Sequence, residues 1–250
     1  MFFGELISLK ALKSTATIGV PEPLCVVEDP KSTGGAIVME YLAMTPITEW
    51  KMFGSQLADL HLFNTVLEKK KDKLSSWIGR PPKSDVPDDD RIVFEKEVKL
   101  QLSDEQVHSS TYVDQFGFEG PTYCGMIEQN NDWHDNWIEF YARNKLDLQI
   151  RLLTDNVGDR EVVEYWSELQ LMLDRLFRDI RRPIKPALLH GDLWSGNASQ
   201  VDGRPVIYDP ACFYGHSEFE LSIAMLFGGF DSAFFDEYFS KIPKEKGFEL

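Results

Sequence analysis

Cysteine, clustered histidine and long apolar runs are scarce in this sequence, and each scarcity removes a class of protein. The three cysteines, Cys25, Cys124 and Cys212, are dispersed and odd in number. Without metal-ligand spacing they read as reduced intracellular thiols, not as a disulfide framework, and Cys212 reads as a small apolar packing residue. His108 and His134 have no clustered partners, which argues against a zinc site, and His61 reads as a satisfied core histidine. No apolar run approaches the roughly 20 residues that span a bilayer. Basic residues are outnumbered, 26 Lys and Arg against 41 Asp and Glu, for a formal charge of −15. That balance argues against nucleic acid and anionic membranes, whose binding rests on basic contacts.

What is present is globular: 43% hydrophobic residues and 12% aromatics over 250 residues, enough for one large or two small domains. Phe2, Leu6, Leu9 and Leu12 recur at helical spacing, so Met1 to Leu12 is expected as an amphipathic helix, not a signal peptide. Leu24 to Glu28 and Ala36 to Tyr41 are strand-like and meet at Gly34-Gly35, a hairpin turn. Helices are expected around Ile47–Phe63, Asp135–Leu148, Arg160–Ile180 and Glu218–Phe227. In the third of these, Val162, Trp166, Leu169, Leu173 and Leu176 make the apolar stripe. Lys69 to Lys71 and the Pro- and Asp-rich stretch Gly79 to Asp90 are expected as an exposed loop or insertion.

Most of the chemistry lies in His190-Gly-Asp-Leu-Trp-Ser-Gly-Asn197 and the following Asp209-Pro210. Asp192 can orient a hydroxyl and accept its proton, while Asn197 and Asp209 offer hard oxygen ligands to Mg2+. The spacing D-x-x-x-x-N is that of the catalytic loop in kinase-like enzymes. Between the two halves, Ser199–Val201 and Val206–Tyr208 flank the tight-turn dipeptide Asp202-Gly203. A hairpin there brings Asp209 beside Asn197, where an extended chain would separate them by about 40 Å.

The segment from His190 to Gly229, with H-G-D-L-W-S-G-N and Y-D-P-A-C-F-Y-G-H-S-E-F-E-L-S, resembles the fructosamine kinase (ketosamine 3-kinase) family. Phe3-Gly4-Glu5, Ile37–Leu42, Gln56–His61, Asn131-Asp-Trp133 and Ile242-Pro-Lys244 are also similar to it, leaving residues 65–112 as an unusual insertion. The resemblance implies an α+β, protein-kinase-like fold of two lobes, a truncated small lobe over residues 1–43 and a mainly helical catalytic lobe over 44–250. It implies Asp192 as catalytic base, Asn197 and Asp209 as Mg2+ ligands, and Glu40, Tyr41 and Leu42 as the hinge that binds the adenine of ATP. Glu5 would be the helix glutamate that pairs with a nucleotide-clamping lysine. The implied reaction moves the ATP γ-phosphate to the 3-hydroxyl of fructosamines or ribulosamines, free or on proteins, in deglycation repair.

Around that core, His190 is expected to brace the loop by hydrogen bonds. His216 and Glu218 are expected either to pair across a turn or to touch substrate, Trp194 to wall the sugar pocket or pack, and Asp132 and Trp133 to approach the substrate amine. No Gly-rich loop or strand lysine precedes Glu5, so the chain reads as beginning inside the small lobe and as ending early, after Ile242-Pro-Lys244. Glu5 is accordingly expected as an exposed helix carboxylate, and Phe2, Leu6 and Leu9 as an apolar surface. The expected compartment is the cytoplasm, with organellar targeting left open, and the sequence sets no oligomeric state. Two alternatives stand beside the ketoamine kinase: a catalytically silent, partner-binding fragment, and a kinase for an aminoglycoside or amino alcohol.

Overall fold

The computed structural model describes residues 1–31, 34–77, 111–158, 160–180 and 183–248. The chain opens with helix α1 (Phe2–Thr15), followed by strands β1 (Pro23–Glu28) and β2 (Gly35–Met39). These strands pair antiparallel, Val26 opposite Ile37 and Val27 opposite Ala36, and α1 packs on both. The helix runs three residues past the expected Leu12. It stops where Ala16 turns left-handed (φ 51°) and donates to the Lys13 carbonyl at 3.1 Å.

The buried face of α1 also differs from expectation. Leu9 and Leu12 are fully buried, together with Ser8 and Thr15, while Phe2 and Leu6 are half-buried. Ser8 lies inside because its hydroxyl accepts from the Cys212 N–H at 3.2 Å, which docks α1 on the large body. Cys212 itself is fully buried there.

Helix α2 (Trp50–Trp77) is longer than the expected Ile47–Phe63, and its main packing partner is α7 (Ser232–Lys241). Phe53, Phe230 and Phe234 stack between the two, with ring centroids 4.9–5.8 Å apart. Lys69 to Lys71 do not form a loop: they are solvent-facing positions of α2. The expected loop at Gly79–Asp90, and His108, lie outside the described residues.

Strands β3 (Thr122–Cys124) and β4 (Ile127–Gln129) form a small hairpin that the sequence pattern did not reveal. Asn136 caps α3 (Trp137–Phe140), its Oδ1 accepting from the Ile138 N–H at 2.8 Å. A six-residue π-helical turn, Tyr141–Leu146, then leads into α4 (Asp147–Val157). The helical run therefore passes the expected end at Leu148 and stops at Gly158, whose φ is 71°. Helix α5 (Arg160–Leu176) buries Trp166 and Leu173 from the expected stripe. The remaining elements are β5 (Ala187–Leu189), β6 (Ala198–Val201), β7 (Arg204–Ile207), β8 (Phe213–Gly215) and α6 (Ser217–Phe227).

A large apolar cluster joins α1, α2, α3, α5, α6, α7 and strands β5, β7 and β8. Among the described residues, no helix is long and apolar enough to cross a membrane.

Candidate active site

Two short ladders set the geometry. β5 pairs antiparallel with β8, Leu189 opposite Phe213, and β6 pairs with β7, Ala198 opposite Ile207. The β6–β7 connection is Asp202-Gly203 with φ 49° and 74°, the left-handed pair that a two-residue hairpin needs. Asn197 directly precedes β6, and the Tyr208 N–H donates to its carbonyl at 3.1 Å. Asp209 is the next residue, so the hairpin brings the two expected metal ligands to one end.

Asp192 enters from β5 through Gly191. That glycine has φ 84°, and a Cβ on it would stand 2.0 Å from the Ala211 carbonyl oxygen. Asn197 Nδ2 donates to the Asp192 carbonyl at 2.9 Å and to its Oδ2 at 3.3 Å. The amide nitrogen is thus committed, leaving Oδ1 as the atom that can face a cation. Burial raises the Asp192 pKa; the His190 imidazole opposes that rise and Asp209 adds to it.

Asp209 holds φ 57°, uncommon outside glycine and a form of strain that gathers at functional sites. Glu5 is not the exposed carboxylate expected. It is half-buried near Asp209, and burial first, then the Asp209 charge, push its pKa up to about 7. Among the described residues, no three His, Cys, Asp or Glu side chains gather into a metal cage. Mg2+ needs none, since it takes one or two carboxylates with water and substrate phosphates. Asn197 Oδ1 and the Asp209 carboxylate, with the acidic Glu5 nearby, fit such an ion.

The loop is held from behind by residues the sequence reading missed. Glu220, on α6, is fully buried and accepts from the His190 N–H at 2.5 Å and the Gly191 N–H at 3.0 Å. Its other neighbour is His61 of α2, Nε2 to Oε2 3.7 Å, and His61 Nδ1 bonds the Tyr238 hydroxyl at 2.8 Å. The signal was an acid adjoining the apolar positions Leu221 and Ala224 of one helix face. His190 is fully buried: its Nε2 bonds the Tyr208 carbonyl at 2.9 Å and its Nδ1 accepts from the Asp192 N–H at 3.3 Å. Burial lowers its pKa against the pull of Glu220 and the Tyr208 carbonyl.

Cys124, on β3, was also missed. The residue is exposed at its surface, yet its thiol is near enough to Asp192 that partial burial first, then that carboxylate's charge, push its pKa up to about 11. No local pattern announces a contact between residues so far apart in sequence.

The other expected residues divide between the open face and the interior. Trp194 is 39% exposed, with its ring 6.0 Å from that of Phe227. Trp133 is 40% exposed and lies 6.2 Å from Tyr214, with Asp132 exposed beside it. His216 is buried, its ring 6.1 Å from Trp137. It caps α6 by accepting the Glu218 N–H on Nδ1 at 3.2 Å, so this contact runs from side chain to backbone. Burial drops its pKa to about 4. Glu218 Oε1 accepts from the Glu245 N–H at 2.7 Å.

At the other edge, the Glu40 N–H donates to the Glu22 carbonyl at 2.9 Å, and the Leu42 carbonyl accepts from Met44 at 2.9 Å. Among the described residues the Glu40 carbonyl and the Leu42 N–H have no backbone partner. Tyr41 is 89% exposed.

Comparison with known proteins matches this architecture. Solved structures of candidate fructosamine-3-kinases from Haemophilus somnus 129PT and Thermobifida fusca YX-ER1 superpose with TM-scores of 0.68 and 0.69. Each covers 99% of this chain, with 66% and 67% of the other covered, at 22% and 24% identity, and they establish the α+β kinase-like fold. The family model for fructosamine kinase matches residues 1–86 and 88–250. The ketosamine-3-kinase of Mus musculus is 45% identical over all of this chain and 72% of its own length. The chloroplastic protein-ribulosamine 3-kinases of Oryza sativa subsp. indica and Arabidopsis thaliana are 34% and 32% identical. This chain spans 59% and 62% of their lengths. The chain belongs to the fructosamine kinase family.

Proposed function

We propose that this protein transfers the γ-phosphate of ATP to the 3-hydroxyl of ketoamines, fructosamines or ribulosamines, on small molecules or on modified proteins. The carrying observation is the single cluster of Asp192, Asn197 and Asp209, with Asn197 Nδ2 holding the Asp192 carboxylate at 3.3 Å. The names of the mouse and plant relatives supply the acceptor.

In this reading Asp192 orients the sugar hydroxyl and takes its proton. Its raised pKa suits a group that must accept a proton at neutral pH. Asn197 and Asp209 hold Mg2+, which when bound neutralises charge on the transferred phosphoryl group. The unpaired Glu40 carbonyl and Leu42 N–H read adenine. Trp194, Asp132 and Trp133 face the acceptor, with Trp194 stacking on the sugar. His190, His216 and Glu218 brace the loop and the start of α6. Reduced, dispersed cysteines favour the cytoplasm.

The test supplies Mg-ATP with fructosyl-lysine, ribulosyl-lysine, an aminoglycoside and an amino alcohol. Transfer to the ketoamines alone is expected. Transfer to the aminoglycoside or the amino alcohol, or to no acceptor, would overturn the assignment.

A further inference from the structure

Lys145 sits in the π-helical turn with only 6% of its surface exposed. Its Nζ donates to Asn131 Oδ1 at 3.1 Å and lies 3.9 Å from the centroid of the Phe213 ring and 5.3 Å from that of Phe140. Among the described residues it has no ion-pair partner. Burial pushes its pKa down to about 7, with the Cys124 thiol opposing. An ammonium in such a place costs stability that an apolar side chain of similar length would not. A local rule broken at such a cost points to function, and π-helical turns concentrate at functional sites.

The neighbours of Lys145 show which function. Asn131 passes the contact on, its Nδ2 donating to the Gly120 carbonyl at 3.0 Å and the Thr122 hydroxyl at 2.9 Å. Thr122 opens β3, whose last residue, Cys124, is electrostatically coupled to Asp192. The preceding residue, Asn144, donates to the Asp132 carbonyl at 3.0 Å and bonds His134 Nε2 at 3.1 Å. Two consecutive residues of one turn therefore grip the segment 131–134. Phe213, against which Lys145 also packs, begins β8 four residues after Asp209.

We propose that Lys145 is a positioning residue for the acceptor: through Asn131 and the Phe213 ring it fixes the Asp132–Trp133 wall and the β3 edge relative to Asp192. The identity of the acceptor rests on the functional reading above; the clamp itself does not.

The test compares Lys145→Met and Lys145→Arg in the 250-residue chain. It reads thermal unfolding, hydrogen exchange over 131–134, and the KM values for fructosyl-lysine and Mg-ATP. Lys145→Met should change Tm little, relief of the buried ammonium offsetting the loss of the donor to Asn131 Oδ1. It should speed exchange at 131–134 and raise the acceptor KM about 10- to 100-fold, since small misplacements carry losses of that size. The KM for Mg-ATP should stay within about twofold, and Lys145→Arg, which keeps a cation with N–H donors for Asn131 Oδ1, should restore part of the acceptor KM. An unfolded or strongly destabilised Lys145→Met would overturn the proposal, because the cation would then be a structural strut. An unchanged acceptor KM with unchanged exchange would overturn it equally. If the unmutated chain phosphorylates no ketoamine, the functional reading fails, and exchange alone decides: faster exchange at undiminished Tm supports the clamp, unchanged exchange removes it.

Discussion

The proposed catalytic loop and the proposed hinge are built by opposite means. From His190 to Asn197 the backbone is tied inward, with the Glu220 carboxylate on two N–H groups and the His190 ring on the Tyr208 carbonyl. Both anchoring side chains are fully buried. From Glu40 to Leu42 the chain runs along the surface, Tyr41 is 89% exposed, and the groups proposed to read adenine have no backbone partner among the described residues. A base that must hold a hydroxyl needs a geometry fixed before substrate arrives. A hinge needs open polar groups that a ligand can complete. Sequence changes should therefore be costly behind the loop and nearly free on the hinge side chains.

The largest break should come from Glu220→Ala. It leaves the buried His190 N–H and the part-buried Gly191 N–H without their acceptor, at roughly 1–3 kcal/mol for the first and less for the second, so unfolding stability should fall by about 2–4 kcal/mol with activity lost in parallel. Chemical denaturation measures it, and a loss under about 1 kcal/mol would mean the loop is held elsewhere.

His216→Asn sharpens the comparison through pH. The His216 pKa is lowered in the fold to about 4 from 6.5. Its neutral form is therefore favoured by folding, and that stability is complete above about pH 6.5 and lost as pH falls toward 4. The full difference is on the order of 3 kcal/mol. Asparagine can still cap α6 but does not protonate. The variant should thus lose less stability than the unmutated chain between pH 6.5 and 4, and parallel curves would refute the assignment.

Asp209→Ala should weaken Mg-ATP by about 10- to 100-fold or more, the scale of disturbed metal sites, while adenosine, read by the hinge, changes little. Equal losses for both ligands would point to disrupted folding. Smallest is Tyr41→Ala, expected within about 0.5 kcal/mol for stability and for adenosine binding alike, as for exposed positions generally. A large loss of adenosine there would show that the hinge reads the base through a side chain.

What could be read from the sequence was local. The Asp202-Gly203 turn and the alternation around it predict a hairpin with Asn197 and Asp209 at one end, as the β6–β7 ladder has them. The α5 stripe likewise shows directly in its spacing. What escaped was set by contacts distant in sequence. Glu220 and Lys145 are charges on otherwise apolar faces, visible as anomalies but without a named partner. Strands β3, β5 and β8 are three residues each, too short for alternation to register. Glu5 looked exposed because helical spacing says nothing of Asp209 arriving from another ladder. Lys69 to Lys71 suggested a loop by charge alone, although their side chains extend α2 into solvent without cost to the helix.

The central claim is that Asp192 acts on the acceptor and not on the nucleotide. The most direct measurement is Asp192→Asn, with Mg-ATP binding by titration and phosphate transfer to fructosyl-lysine followed in the same preparation. Asparagine keeps the size and the neighbours of the side chain and removes the base. The account predicts Mg-ATP affinity within about threefold of the unmutated chain and transfer reduced about 10²- to 10⁴-fold, the usual worth of a positioned base. Near-normal transfer, or a loss confined to nucleotide binding, would contradict it.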